Sequence, residues 1–145
     1  MEHIYQEKYM MIRTAKTTDK NWIEEIFAQN KKILGGAGYF GMQWHRYWNQ
    51  PKSNEFWIVI ENKAFCHYLV RKKDNVKVVY EIATHNDFKK QGFGKKLIEK
   101  IGQPIELKTD YDSIESNAFY KKIGFAPIGV SYTKSDNKKM MNYKK

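Results

Sequence analysis

The stretch EIATHNDFKKQGFGKKLIEK, Glu81 to Lys100, decides the fold. It leaves a β-branched and aromatic run, VKVVYEIAT at 76–84, and passes two closely spaced glycines, Gly92 and Gly94, into a lysine-rich helical pattern. Glycine weakens a helix, so two of them at its mouth need a reason. A helix start offers free backbone N–H groups and the positive end of the macrodipole, which together make an anion site. Glycine lets a ligand approach that backbone and tolerates positive φ. Lys89, Lys90, Lys95 and Lys96 surround the position with positive charge. The spacing is not a Walker loop, since G-x-x-x-x-G-K-[ST] is absent, nor a dinucleotide fingerprint, which needs a third glycine. From these residues alone, a plain turn joining strand to helix stays the alternative.

Upstream, EFWIVIEN (55–62), AFCHYLVRK (64–72) and VKVVYEIAT read as three strands with turns at Asn62-Lys63 and Asp74-Asn75, an antiparallel meander. Before them, Tyr9 to Ala15 reads as a strand. A helix follows, with Thr17, Thr18 and Asp19 as N-cap candidates, and it stops at Gly35-Gly36. Its apolar face carries Trp22, Ile23, Ile26, Phe27, Ile33 and Leu34. The stretch GGAGYFGMQWHRYWNQP (35–51) fits a loop, a short helix, or one after the other. Downstream, PIELKTD (104–110) is a strand, IESNAFYKKI (114–123) a helix ending at Gly124, and APIGVSYT (126–133) with KKMMNYK (138–144) a terminal strand pair. The order β-α-(α)-β-β-β-α-β-α-β-β predicts an α/β fold, a mixed sheet with helices packed on it.

The chain has 145 residues, so a single domain spanning 1–145 is expected. At 41% hydrophobic and 15% aromatic it reads as globular rather than disordered. No run approaches the roughly 18 apolar residues of a membrane span. The amino terminus lacks the apolar core of a signal peptide, so a cytoplasmic location is expected. Cys66 is the one cysteine; it excludes an internal disulfide and reads as a small buried hydrophobe. A net charge of +10 attracts polyanions: a phosphorylated cofactor, nucleic acid or an acidic partner. Part of that charge lies in a lysine-rich tail, so it is compatible with nucleic acid without pointing to it.

Two blocks carry a resemblance to a known family. DFKKQGFGKKLIEKI, preceded by a meander strand, resembles the cofactor motif Arg/Gln-x-x-Gly-x-Gly/Ala of the GNAT N-acetyltransferase superfamily. The departure is Lys89, which stands where that family has Arg or Gln and keeps the charge without the planar fork. SNAFYKKIGF, Ser116 to Phe125, resembles the family's Asn-x-x-Ala-x-x-Tyr-x-x-x-Gly-Phe block, contracted before the alanine and intact from Phe119 and Tyr120 to Gly124 and Phe125. The resemblance implies a mostly antiparallel sheet of about six to seven strands flanked by helices, with a splayed central pair forming the cleft for acetyl-CoA. It implies that Gln91, Gly92, Phe93, Gly94 and Lys95, with Lys89 and Lys90, hold the cofactor's pyrophosphate, and that the backbone of Ile82, Ala83 and Thr84 holds its pantetheine arm. Asn117 would bond a cofactor amide or else cap its helix. A monomer or a homodimer fits the family, and no metal is expected.

Acetyl transfer needs a neutral amine, a polarised thioester carbonyl and a proton for the departing thiolate. By resemblance Tyr120 supplies that proton. Glu81 sits in YEIAT, similar to the Tyr-Asp-Leu-Ala-Val strand of some aminoglycoside acetyltransferases, and is the candidate base; a salt-bridged, merely orienting glutamate is the alternative. His85 is a loop histidine beside the lysines and a weaker candidate. The acceptor side would be shaped by Tyr39, Phe40, Trp44 and His45, with Tyr47 and Trp48 nearby. Phe40, Trp44, Tyr47 and Trp48 also have the spacing of a core stripe. The expected function is an acetyl-CoA-dependent N-acetyltransferase acting on a primary amine. The alternatives are a nucleic-acid-directed transferase, base-modifying or tRNA-acting, and a non-catalytic acyl-CoA-binding module.

Overall fold

β2 (Glu55–Ile60), β3 (Ala64–Val70) and β4 (Lys77–Thr84) form the predicted antiparallel meander. Their residues are apolar on both faces because helices cover both. Ile58, Ile60, Ala64, Cys66 and Val79 point into one core; Trp57, Val59 and Phe65 point into the other. The two turns use left-handed backbone at Asn62 (φ 62°) and Asn75 (φ 61°), a conformation asparagine tolerates. The computed structural model describes residues 11–145; Tyr9 and Met10 of the expected first strand lie outside the described residues. β1 (Ile12–Thr14), β5 (Ile105–Asp110), β6 (Ala126–Tyr132) and β7 (Lys139–Lys144) complete one sheet in the order β1-β2-β3-β4-β5-β7-β6. Every neighbouring pair is antiparallel except β4 and β5, the mixed sheet expected.

α1 (Lys20–Gln29), α2 (Lys31–Leu34) and α3 (Gly36–Asn49) supply the first face, α4 (Phe93–Ile101) and α5 (Ile114–Lys122) the second. The one long helix predicted before Gly35 is broken at Asn30. Its side-chain amide donates to the Ile26 carbonyl at 2.8 Å, and α2 then ends on left-handed Gly35 (φ 98°). The aromatic stretch is helical almost throughout. Phe40 and Trp44 are buried: Phe40 packs against Phe27 with tilted rings 4.9 Å apart, and Trp44 lies 5.3 Å edge-on to Trp57. Their spacing is that of a core stripe, and the acceptor role considered for them is corrected on that ground.

The ladder between β4 and β5 is short. Lys77, Val78 and Val79 pair with Ile105, Glu106 and Leu107, and among the described residues the pairing goes no further. The next residue, Tyr80, is the extra residue of a bulge, since His67 pairs with Glu81 but Tyr68 pairs with Val79. A bulge bends its strand and raises the local twist, which carries β4 away from β5. It also sets two consecutive side chains on one face. Val79 lies in the α4 core, Tyr80 and Glu81 both meet His67 on the opposite face, and Ile82 returns to the first. Strict alternation from Val79 would have turned Glu81 into the core.

Asp19 ties β1 to α1. Its carboxylate takes both arms of Arg13 at 2.8 Å, the Lys16 N–H at 2.7 Å and the Trp22 indole N–H at 2.9 Å. Burial alone would raise its pKa, but the Arg13 bonds, the Lys16 N–H and the Trp22 N–H hold it below the ordinary 3.8. The unfolded chain therefore takes up this proton first, and the stability Asp19 supplies is present above 3.8 and lost as the pH falls below it. Asp19→Asn should cost about 1–3 kcal/mol at neutral pH, because Arg13 loses its buried partner and keeps only the exposed Glu61. Urea midpoints followed from about pH 6 to about pH 3 should fall less steeply in the variant than in the wild type.

Candidate active site

The splay opens a cavity of about 770 Å³. It is bounded by Tyr80–Thr84 of β4, Lys108–Asp110 of β5, the glycine loop and the inner side of α5. Beyond Val79 and Leu107 the facing edges of β4 and β5 are not joined, so their backbone groups are open to an inserted extended chain. At the far end of the cavity, Lys90 (φ 64°) and Gly92 (φ 86°) are both left-handed, and Gly92 is the N-cap of α4. The first-turn N–H groups of Phe93, Gly94 and Lys95 have no carbonyl of their own helix to bond. Phe93, 2% exposed, pins this turn into the core.

The two glycines answer different needs. A Cβ on Gly92 would meet nothing within 4 Å, so the space over that backbone is open to a ligand, while the left-handed φ excludes most side chains. A Cβ on Gly94 would stand 3.1 Å from the Phe119 ring, so Gly94 lets α5 close onto α4. Left-handed backbone, free N–H groups, open space and the loop's lining lysines, Lys89, Lys90 and Lys95, fit a pyrophosphate. The unjoined strand edges fit a pantetheine arm.

Glu81, Ile82, Ala83, Thr84, Lys89, Lys90, Gly92, Phe93, Gly94, Lys95 and Tyr120 all line this one cavity. Gln91 is exposed and does not line it. Asn117 does not line it either. Its amide donates to the carbonyls of Asp110 at 3.0 Å and Ser113 at 2.7 Å, and its oxygen accepts from the Tyr143 hydroxyl at 2.5 Å. The helix cap is Ser113, whose hydroxyl accepts from the Ser116 N–H at 3.3 Å. The Asn117 side chain is spent on joining the β5–α5 turn to β7, which corrects both roles considered for it. His45 is exposed on α3 beside Asn49, away from the cavity. His85 caps the turn Asn86–Phe88 by accepting the Asp87 N–H at 3.1 Å. Cys66 is fully buried, and burial drives its thiol well above its ordinary range.

Of the predicted acceptor-side residues, Tyr39 reaches Glu81, donating to its Oε1 at 2.8 Å. Glu81, 5% exposed, meets His67 Nδ1 through Oε2 at 2.6 Å. His67 Nε2 in turn meets Glu55 Oε2 at 2.6 Å, and Arg46 Nη2 donates to that same oxygen. Arg46, Glu55 and His67 escaped the reading of the sequence. The signal was present: Glu55 and His67 are polar residues at inward positions of otherwise apolar strands. What was missing is the register that sets His67 opposite both Trp57 and Glu81. Burial pushes the Glu55 carboxyl up, but the bonds from Arg46 and His67 outweigh it and hold the group below the usual range. Tyr120 is 8% exposed, and burial, with Cys66 and Tyr143 adding, raises its phenol far above the ordinary value.

This fold is shared with solved acetyltransferase structures. A GNAT-family protein from Desulfovibrio desulfuricans superposes with a TM-score of 0.75 at 11% identity, over 93% of this chain and 97% of its own. The ribosomal-protein-S18-alanine N-acetyltransferase of Escherichia coli gives 0.63 at 18% identity, over 92% and 91%. A Bacillus anthracis protein described as a streptothricin acetyltransferase, crystallised with acetyl coenzyme A, gives 0.55 at 18% identity, over 66% and 64%. At such identities the likeness is one of fold. A sequence comparison with curated proteins finds no match. The profile of the acetyltransferase (GNAT) domain matches residues 52–127, more than half of the chain. The chain belongs to the GNAT acetyltransferase family.

The glycine loop gives a direct test by calorimetric titration with acetyl-CoA. Gly92→Glu, which sets a carboxylate over the free N–H groups, should weaken binding by at least about tenfold, or 1.4 kcal/mol. Gly94→Ala should keep most of the affinity, because the Phe119 ring has only to move by a few tenths of an ångström.

Proposed function

We propose that this chain transfers the acetyl group of acetyl-CoA directly to a primary amine, with both bound in the cleft at once. The observation that carries this reading is that Glu81 and Tyr120 line a single cavity whose other end is the glycine loop. When bound, acetyl-CoA would supply an acetyl group activated as a thioester. Lys89, Lys90 and Lys95 with the N–H groups of Phe93 to Lys95 would hold its phosphates. The backbone of Ile82–Thr84 would orient the acyl arm and polarise the carbonyl oxygen.

Glu81 stands on the face covered by α1–α3, with Tyr39 and His67 fixing its direction, and takes a proton from the acceptor ammonium. Tyr120, kept neutral by burial, donates a hydrogen bond to the charge that develops on sulfur. The proton count closes. An ammonium loses two hydrogens in becoming an amide; one ends on the thiol and the other leaves for solvent. The fold neighbours support the reading, since one is a protein-alanine N-acetyltransferase and another was crystallised with acetyl coenzyme A.

A thiol-release assay with acetyl-CoA and a panel of acceptors tests this: a polyamine, a peptide with a free amino terminus and an aminoglycoside. Glu81→Gln should lower kcat by about 10²–10⁴ and Tyr120→Phe by about tenfold or more, with the KM for acetyl-CoA little changed. Cofactor binding without thiol release on any amine would sink the proposal in favour of an acyl-CoA-binding module.

A further inference from the structure

We propose that His67 and Glu55 are positioning residues that hold a proton beside Glu81 and so keep its carboxylate ionised and aimed into the cleft. This rests on the reading of Glu81 as the base. Both ring nitrogens of His67 lie 2.6 Å from a carboxylate oxygen. A neutral imidazole has one N–H, so one of these contacts would set lone pair against lone pair; a second hydrogen is required. The partners decide where it sits. Glu81 accepts from the Tyr39 hydroxyl, and Glu55 accepts from Arg46. Each carboxylate thus accepts from a donor besides the ring, which favours its charged form, and the second hydrogen belongs to the ring. The buried chain then runs Arg46 positive, Glu55 negative, His67 positive, Glu81 negative, and its charge balances. Without the imidazolium, two deeply buried carboxylates would share one arginine.

Packing fixes the ring in place. Trp57 stacks on it at 4.1 Å and 12°, offering a π face to the positive charge, and Tyr80 lies 5.3 Å away. The other groups facing the chain do not replace it. Burial foremost, with Glu81 adding, raises the Tyr39 phenol; burial, with Glu55 and Glu81, raises that of Tyr80. Both therefore stay neutral. Cys66 stands on the opposite face, its thiol driven up by burial. Lys52 lines a second cavity of about 320 Å³ together with Arg46, Glu55 and His67. Glu55 Oε1 and Arg46 Nη1 are buried with no protein partner, and this polar cavity has room for water to reach them.

The test compares pH profiles of kcat/KM for acetyl transfer in His67→Gln and Glu55→Gln, each checked by thermal unfolding. Removing the positive ring should move the acid limb up by about one pH unit, because Glu81 then takes a proton more readily. Removing the Glu55 charge while His67 and Arg46 remain should move it down. Opposite shifts, with the KM for acetyl-CoA unchanged, are expected. Shifts in one direction, or a lower kcat with no shift, would mean that the two side chains only hold the sheet together, and would overturn the proposal. Nitrogen-15 NMR of the His67 ring in the wild-type protein needs no activity. Hydrogen on both nitrogens at neutral pH is expected, and a singly protonated ring overturns the proposal by itself. A doubly protonated ring in a protein that acetylates no amine would uphold the charge assignment and place the failure in the acetyl-transfer reading.

Discussion

One extra residue in β4 governs the rest. Tyr80 breaks the alternation between Val79 and Glu81, and the parallel ladder with β5 ends at the residue before it. A parallel pair held over three residues and then released leaves two backbone edges with no partner in each other, which is costly unless something inserts between them. The same bulge lifts Glu81 out of the α4 core and onto the face where His67 and Tyr39 lie. The cleft and the placing of Glu81 are therefore consequences of a single irregularity. Neither follows from the apolar character of the strand, because a fully regular β4 would be just as apolar and would turn Glu81 into the α4 core.

The other end of the cleft is set by packing more than by the loop itself. Phe93 is driven into the core, and Phe119 of α5 comes up against Gly94, so the mouth of α4 has little freedom to move. Gly92 then has only to turn the chain through a left-handed conformation, which Lys90 begins two residues earlier. Lys89 keeps the positive charge that this mouth needs. The lysines are mobile point charges; the oriented N–H groups are the fixed part of the anion site.

Much of this was legible in the sequence, and the reasons differ by element. The meander and its turns followed from β-branched runs punctuated by Asn62 and Asn75, each of which does adopt the left-handed backbone such positions need. The glycine loop and Tyr120 were legible because they lie in contiguous motifs. The aromatic stretch was not resolved, since Phe40, Trp44, Tyr47 and Trp48 satisfy both a helix stripe and a binding cluster, and only contact with Phe27 and Trp57 decides between them. Asn117 was misread for the same reason: its position near a helix start is plain in the sequence, but its bond to Tyr143 depends on β7 lying beside β5. Arg46, Glu55 and His67 were invisible as a group because they come from a helix and two strands and meet only through register.

The two candidate acid–base groups sit within one cavity in opposite surroundings. Tyr120 is embedded among Cys66, Phe125 and Tyr143, where nothing stabilises a phenolate, and burial keeps it a hydrogen-bond donor. Glu81 is as deeply buried but has two donors on its two oxygens and an alternating chain of charge behind it. An apolar wall surrounds Tyr120 on the α5 side, while polar and charged side chains surround Glu81 on the α3 side. The sheet makes this separation possible: the two faces of β4 meet different surroundings, and the bulge chooses which face Glu81 joins. The asymmetry that a proton-transferring site requires is thus written into the two faces of a single strand.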